Sequence, residues 1–283
     1  LLSPKSPPKR LRGNRPDKYG TLDVVVVGCG LPKKGMGWYH LTQLLEMENV
    51  NVRAVIEPFF LNSNLCPHPP HSFTELVRKL EGQGVPCYAS IDSVKGENGE
   101  DTFERPTMSL IAGRTSDNPM LFRECVQKGS KLIYLEKPGA PTVKDLQDMR
   151  SLALLKGISV YLGYNKNVTP YVQKALDLAN RIEHAHIFFC HNNSYTEEDL
   201  PEVFARNSEG MMKNMAVHEL ALLVTYFGVT VNTIQEFKVN KSRLFSEKLR
   251  IRIPDSPNTN PQYISDFSRI AFKITTKAGK TVS

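Results

Sequence analysis

The chain of 283 residues contains no apolar run that approaches the roughly 20 residues of a membrane-spanning helix. It also lacks the basic and then apolar start that is typical of a secretory signal. We therefore expect no membrane as a partner. The composition is that of an ordinary globular protein, with 40% hydrophobic and 23% charged residues.

Paired cysteines are missing as well. The chain has five cysteines, an odd number, and no two of them have the spacing of a zinc or redox pair. This pattern predicts reduced thiols in a reducing compartment, the cytoplasm, without a disulfide framework. His184 and His186 point to one face of a predicted strand, and His191 ends it, but no third ligand has a suitable spacing. We therefore predict no metal site.

Positive charge is concentrated at the start of the chain. The net charge is +7, and residues 1–19 carry six basic residues against one acid, so the remainder is nearly neutral. The same segment contains four prolines and can bury little apolar surface. We interpret residues 1–20 as a basic, disordered tail, with a functional basic arm as the alternative. No specific nucleic acid is expected as a partner.

The clearest sign of the fold is a run of four valines, Val24–Val27, which predicts a strand buried on both faces, as in a parallel sheet. A Gly-Cys-Gly turn follows immediately. An amphipathic helix is predicted over residues 37–48, and a second strand over residues 50–56 leads to Glu57. A strand, glycine turn, helix, strand and acid in this order are typical of a dinucleotide-binding unit.

The glycine turn suits a pyrophosphate. Gly28 permits a tight exit from the strand, and Gly30 lets the backbone approach the ligand at the N-terminus of the next helix. The usual third glycine would stand at Lys33, whereas Gly35 and Gly37 come later, so the loop is about four residues longer than usual. The alternative to a cofactor site is a dinucleotide fold that has lost its ligand.

Glu57 predicts the choice of cofactor. A carboxylate at this strand end can accept hydrogen bonds from both ribose hydroxyls and would repel a 2′-phosphate, which favours NAD. No arginine follows it. Lys33 and Lys34 could still bind a phosphate, so NADP is the alternative.

Strands and helices continue to alternate as far as residue 163. Ser72, with Glu75 three residues later, predicts a capped helix over residues 73–80. Residues 95–105 are polar and predict an exposed excursion. Further strands are predicted at 85–89, 108–112, 131–135 and 159–162, and further helices at 119–128 and 142–156. This alternation predicts a Rossmann-type, doubly wound parallel sheet, which makes residues 21–163 a dinucleotide-binding domain.

The pattern changes after Tyr164. Helices at 170–181 and 214–227 are separated by a predicted strand at 184–191 and a polar loop, whose start at 191–195 is expected to rim the substrate pocket. Three more strands are predicted at 233–240, 248–253 and 267–275. Helices followed by strands predict an α+β domain with a mostly antiparallel sheet over residues 164–283.

The sequence Glu136-Lys137-Pro138 ends one of the predicted parallel strands. The carboxyl ends of such strands form the ligand crevice, where a lysine can donate to a substrate oxygen or move a proton. On this motif the chain resembles the glucose–fructose oxidoreductase, inositol dehydrogenase and MocA family. Its Lys-Leu-Ile-Tyr-Leu-Glu-Lys-Pro run, Gly163-Tyr-Asn-Lys segment and Met-Lys-Asn-Met-Ala-Val-His218 segment carry the resemblance.

The resemblance implies roles for these residues. Lys137 would lie beside the nicotinamide and the reacting carbon, and His218 would be the acid or base for the hydroxyl proton. Lys166 would line the substrate pocket. Asn214 stands where the family usually has Asp; it can orient a hydroxyl but cannot hold a negative charge beside His218. Asn214 and His218 are four residues apart and are expected on one helical face.

Together these features predict an NAD(P)-dependent oxidoreductase acting on the CH–OH group of a sugar, cyclitol or related polyhydroxylated molecule. The alternative is a non-catalytic nucleotide-sensing or regulatory protein of the same fold. The predicted catalytic residues are Lys137 and His218, and the predicted substrate-binding residues are Tyr164, Lys166 and Asn214. The predicted cofactor-binding residues are Gly28, Gly30, Gly35, Gly37, Glu57, Glu136 and Pro138.

The resemblance also bears on the end of the chain. The sequence stops at Ser283, shortly after a predicted hairpin turn, where the family's second domain continues with further strands. Either the chain is incomplete or its sheet is reduced. Family members commonly pair subunits through that sheet, which makes a homo-oligomer an option.

Overall fold

A computed structural model describes residues 20–95, 99, 102–103, 107–182, 196, 198–206, 210, 212–252, 263–279 and 281–282. Several predictions fall outside these residues. They are the basic tail, most of the polar excursion at 95–105, and the segment 184–195 with its strand, its three histidines and Cys190.

The first part of the chain forms a sheet of six parallel strands in the order β3-β2-β1-β4-β5-β6. This is the strand order of a Rossmann fold, and it confirms the predicted doubly wound sheet. The order of strands reverses between β1 and β4, which are neighbours. The strands are β1 (Leu22–Val27), β2 (Val50–Ile56), β3 (Cys87–Tyr88), β4 (Thr107–Ile111), β5 (Leu132–Leu135) and β6 (Ser159–Leu162).

Helices cover both faces of this sheet. They are α1 (Met36–Leu44), α2 (His71–Gly82), α3 (Asn118–Gln127) and α4 (Val143–Lys156). Val24 and Val26 pack in one apolar cluster with α1 and α2, and Val25 and Val27 pack in another with α3 and α4. Successive side chains of a strand point to opposite faces, so a strand between two helical layers needs apolar residues at every position. This explains the run of four valines.

Two helix starts can be compared with the sequence, and a cap was predicted for one of them, α2. The hydroxyl of Thr142 accepts a hydrogen bond from the Asp145 N–H at 3.1 Å, which caps α4 as expected of a threonine at this position. The predicted cap at Ser72 is wrong. Helix α2 already begins at His71 after Pro70, so Ser72 lies within the first turn and makes no cap. A proline with extended backbone replaces the capping box.

The second part contains α5 (Pro170–Ala179), α6 (Leu200–Arg206), a π-helical turn (Met212–Ala216) and α7 (Val217–Phe227). Helix α6 lies where the sequence predicted only a polar loop. Its Val203 and Phe204 are buried, so this short helix contributes apolar contacts that the predicted loop would not. The π-helical turn precedes α7 directly and was not expected from the sequence either.

The remaining strands are all antiparallel and form two small sheets, β11-β10-β7 and β8-β9. They are β7 (Ile234–Val239), β8 (Glu247–Arg252), β9 (Tyr263–Arg269), β10 (Phe272–Thr276) and β11 (Thr281–Val282). The prediction of one strand over 267–275 is wrong, because the chain leaves β9 at Ile270 and enters the other sheet at Phe272. Among the helices that the structure describes, none is long and apolar enough to cross a membrane.

Candidate functional site

The candidate site lies at the carboxyl ends of β1 and β4, where the strand order reverses. Gly28 directly follows β1 with φ +81°, and a Cβ on it would lie 2.7 Å from the backbone of Gly113, beyond β4. No side chain fits between these two backbones. The crevice at such a reversal is where open α/β sheets bind their ligands.

Gly37 brings helix α1 down onto the glycine turn. A Cβ on Gly37 would lie only 2.0 Å from the carbonyl oxygen of Gly28, so any other residue would push the helix away. The additional residues of the long loop form a separate turn, which the Gly35 N–H closes onto the Leu31 carbonyl at 3.0 Å. Gly37 therefore takes the packing role of the usual third glycine, despite the altered spacing.

The start of α1 and the end of β2 provide groups that suit a dinucleotide. No side chain caps α1 and no acid lies in its first turn, which leaves its first N–H groups and its dipole available to an anion. The buried Glu57 carboxylate accepts hydrogen bonds from the N–H groups of Gly30 at 2.8 Å and Phe59 at 3.3 Å. Carboxylate oxygens have further lone pairs for ribose hydroxyls. The glycine cradle, which we define as Gly28, Gly30, Gly35 and Gly37, fits the predicted cofactor together with Glu57.

Cys29, beside Glu57, and Arg114, over the ring of Phe59, lie at this end of the site. Burial, together with the charge of Glu57, raises the pKa of the Cys29 thiol, so this cysteine is a neutral part of the turn. The guanidinium of Arg114, beyond β4, lies 4.8 Å from the centre of the Phe59 ring. The sequence analysis missed this cation–π pair, because it joins two loops more than 50 residues apart.

Lys137 lies just beyond β5, next to the crevice. The neighbouring Glu136 N–H donates to the carbonyl of Ile111, the last residue of β4, at 2.8 Å. The Lys137 ammonium donates to the side-chain oxygen of Asn214 at 2.6 Å and to its backbone carbonyl at 2.8 Å. The structure thus brings together two residues that the sequence placed in different predicted domains. Asn214 lies in the π-helical turn, and such turns are frequent at functional sites.

His218, in the first turn of α7, lies within electrostatic range of Lys137 and Lys166. Its pKa is lowered, first by burial and then by these two ammonium groups, while Glu219 and Glu136 oppose the shift. The imidazole is therefore neutral near pH 7. Its Nδ1 is buried and has no hydrogen-bond partner within the described part of the chain.

Two further predicted residues lie around His218. The Tyr164 ring meets the imidazole edge-on with 6.4 Å between the ring centres, and burial raises the pKa of its phenol. The Lys166 ammonium forms an ion pair with the carboxylate of Glu219, the residue that follows His218. Four predicted residues are thus linked in series: Asn214 binds Lys137, the charge of Lys137 acts on His218, and the Tyr164 ring contacts the His218 ring. Lys166 pairs with the residue next to His218.

Glu136 and Pro138 are buried on either side of Lys137. The Glu136 carboxylate is 2.6 Å from the ring nitrogen Nε2 of His40, and it accepts a hydrogen bond from the Tyr134 hydroxyl at 3.2 Å. The sequence analysis assigned no role to His40. Its position three residues after Gly37 was the only signal. Among the described residues no cluster of ligating side chains could hold a metal ion.

No protein-family model matches the chain, and no curated protein matches it. Solved structures match over nearly its whole length. GenD2 from gentamicin A biosynthesis, in complex with NAD, has a TM-score of 0.62 and 17% identity over 96% of this chain and 66% of its own. The WlbA dehydrogenase from Chromobacterium violaceum, in complex with NADH and UDP-GlcNAcA, has a TM-score of 0.61 and 13% identity over 92% of this chain and 65% of its own.

A third neighbour is the myo-inositol dehydrogenase from Lactobacillus casei, in complex with NAD(H) and myo-inositol. It has a TM-score of 0.54 and 15% identity over 92% of this chain and 66% of its own. This chain thus spans 65–66% of the length of these three proteins. The likenesses confirm the predicted fold, which is that of two-domain NAD-binding oxidoreductases. Dehydrogenases of the kind that the sequence resembles are among these neighbours.

Proposed function

We propose that the protein is an NAD-dependent oxidoreductase acting on a CH–OH group of a sugar, a cyclitol or a related polyhydroxylated molecule. The observation that carries the proposal is the meeting of Lys137, Asn214 and His218 beside a glycine cradle at the sheet reversal. The substrate class is supported by the family resemblance and by two neighbours whose bound molecules are a nucleotide sugar and myo-inositol.

The dinucleotide would be held by Gly28, Gly30, Gly35 and Gly37 at its pyrophosphate and by Glu57 at its ribose. Glu136 and Pro138 would frame its nicotinamide end. When bound, NAD supplies the hydride acceptor or donor. The predicted preference for NAD depends on the charge of Glu57. NADP is the alternative because Lys33 and Lys34 lie in the glycine loop, and the guanidinium of Arg114 lies over the ring of Phe59, two residues after that acid.

We assign the transfer of the substrate's hydroxyl proton to residues of this chain. A neutral imidazole can accept a hydroxyl proton at neutral pH, and the lowered pKa keeps His218 in that form. The Lys137 ammonium would donate to the substrate oxygen and stabilise negative charge on it. Asn214 holds the ammonium at 2.6 Å, and with Tyr164 and Lys166 it would orient the hydroxyl groups of the substrate.

One feature favours a second candidate, a nucleotide sensor without turnover. The partner of Lys137 is an amide, whereas the resembled family usually has a carboxylate there. Proton transfer at His218 therefore lacks the support of a nearby negative charge at this position. Such a protein would bind NAD in the same cradle and leave its substrate analogue unreacted.

The proposal extends to the whole chain. We assign residues 21–163 to the nucleotide and residues 164–283 to the substrate, and we place the protein in the cytoplasm. The free thiols of Cys29, Cys66, Cys87 and Cys125 support that location. A homo-oligomer formed through the strands of the second part is the proposed assembly.

Trp38, the single tryptophan, lies one residue after Gly37 and reports on the cradle directly. Titration with NADH should quench its emission and excite the bound nicotinamide. A panel of polyols is then screened for a change in nicotinamide absorbance, and Lys137→Ala should lower turnover by about a hundredfold or more. Binding without turnover would support the sensor, and no binding of NAD or NADP would contradict both candidates.

A further inference from the structure

The contact between His40 and Glu136 joins the nucleotide helix to the loop that carries Lys137. The ring nitrogen Nε2 of His40 is 2.6 Å from Oε1 of Glu136. The two side chains are only 19% and 10% exposed. The residues are 96 positions apart, so this short contact holds α1 against the end of β5.

The Glu136 carboxylate is fixed from two more directions. The Tyr134 hydroxyl donates to the same oxygen at 3.2 Å, and the Tyr134 ring meets the His40 ring edge-on with 5.2 Å between centres. A Cβ on Gly163 would lie 2.6 Å from the Tyr134 hydroxyl and 3.0 Å from Oε1 of Glu136. Oε1 of Glu136 is therefore held by His40 and Tyr134 together, and Gly163 leaves no room for a side chain behind it, as expected for a buried carboxylate oxygen.

The far side of the Lys137 loop is held separately. The Gly139 N–H donates to the Glu136 carbonyl at 3.0 Å and closes a tight turn around Lys137. The side-chain amide of Asn118, at the start of α3, donates to the Gly139 carbonyl at 3.0 Å. Lys137 thus lies between two anchors, His40 on Glu136 and Asn118 on Gly139, and each anchor comes from a helix that borders the crevice.

We propose that His40 is a positioning residue that holds the Lys137 loop in its working geometry through Glu136. Because His40 lies in α1, one turn after Gly37, the helix that receives the nucleotide also fixes the lysine. The consequence for catalysis rests on the proposed function. The structural part of the proposal does not rest on that function, because it concerns only how firmly residues 136–140 are held in place.

The test compares His40→Leu with His40→Gln, because the amide of glutamine can place a donor close to the position of Nε2. Gln43→Leu, at an exposed position of the same helix, is the matched control. Hydrogen–deuterium exchange is measured on the purified full chain without added nucleotide, in peptides that cover residues 133–140 and residues 36–45. The exchange rate of the first peptide reports on the loop, and that of the second reports on α1.

We expect His40→Leu to speed exchange in the 133–140 peptide by about tenfold, because a charge-assisted hydrogen bond that restrains the loop is lost. His40→Gln and Gln43→Leu should stay within about twofold of the wild type. Gly163→Ala should speed exchange in the same peptide, because it displaces Glu136 from the other side. Wild-type exchange of residues 133–140 in His40→Leu, or an equal increase in residues 36–45, would overturn the proposal.

A second measurement connects the loop to activity. With a polyol that the wild type oxidises, His40→Leu should lower kcat by about tenfold or more, leave the KM for NAD near the wild-type value, and regain kcat in His40→Gln. A rise in the KM for NAD at unchanged kcat would overturn the catalytic part. If the wild type binds no nucleotide, the proposed function fails, while the exchange experiment still decides whether His40 positions the loop.

Discussion

The ammonium of Lys137 donates to the side-chain oxygen of Asn214 at 2.6 Å and to its carbonyl oxygen at 2.8 Å. The partner of the lysine that follows β5 is thus an uncharged amide, which does not neutralise the ammonium. The positive charge of Lys137 therefore acts on His218, whose pKa is lowered first by burial and next by this charge. The chemistry of the site depends on this balance of charge.

The balance is tested first by Asn214→Asp. A carboxylate in place of the amide adds a negative charge in contact with the Lys137 ammonium and four residues before His218, and this charge favours the protonated forms of both groups. We expect the pKa of His218 to rise, measured by NMR titration of its ring proton and assigned by comparison with His218→Gln. Asn180→Asp, at an exposed position, is the control and should leave the titration unchanged. A lower or unchanged His218 pKa in Asn214→Asp would show that a charge at residue 214 does not act on His218.

The same titration tests Lys137 from the opposite side. Lys137→Met removes the largest charge effect that lowers the pKa of His218, so this pKa should rise toward its ordinary value. If His218 is the base, the acidic limb of the rate profile should move to higher pH with it, and the remaining turnover should be small. Lys144→Met, whose exposed ammonium pairs with Asp148, should change neither quantity. An unmoved His218 pKa in Lys137→Met would contradict the geometry.

The long glycine loop is tested by Gly37→Ala. Its Cβ would lie 2.0 Å from the Gly28 carbonyl oxygen, so α1 must move away from β1. We expect a loss of about 3 kcal/mol of stability and the loss of NADH binding, because overpacking against backbone cannot relax by a rotamer change. Gly82→Ala, at the end of α2 with open space around it, should be neutral or stabilise by about 0.5–1 kcal/mol. Chemical denaturation and the Trp38 emission measure the two effects.

Much of the first part of the fold follows from local sequence. Helices cover both faces of the sheet, so β1 needs apolar residues on both faces. The run of four valines predicts this from the sequence alone. Lys137 could be placed at the site because it follows a parallel strand, and all such strand ends lie along one edge. Spacing alone could not show that Gly37 packs on Gly28, since this depends on how residues 31–34 turn.

Contacts between distant residues were the ones that the sequence analysis missed. His40 and Glu136 are 96 positions apart, and no periodic pattern connects a helix residue to a strand end across that distance. The π-helical turn at Asn214 was missed for a similar reason, because tertiary contacts such as the Lys137 hydrogen bond favour it over a regular helix. The break between β9 and β10 follows from pairing with two different sheets, which local propensity does not encode.

The choice of cofactor is tested at Glu57. Its carboxylate is buried at the end of β2 and accepts the Gly30 N–H at 2.8 Å, so its charge lies next to the predicted ribose site. Glu57→Gln keeps an oxygen that can accept this hydrogen bond but removes the charge that would repel a 2′-phosphate. We expect the Kd for NADP to fall relative to that for NAD by about tenfold, measured by titrating Trp38 emission with each reduced nucleotide.

Glu81→Gln, at an exposed position in α2, is the control and should leave the ratio unchanged. Both variants remove one negative charge, so a change that is common to both would reflect net charge alone. If the ratio of the two Kd values is the same in Glu57→Gln as in the wild type, Glu57 supports the glycine turn without selecting the nucleotide. Selection would then belong to Arg114, whose guanidinium lies 4.8 Å from the centre of the Phe59 ring at the same end of the crevice. In that case Arg114→Ala should weaken binding of NADP more than that of NAD, because an arginine binds phosphate by charge and by paired hydrogen bonds.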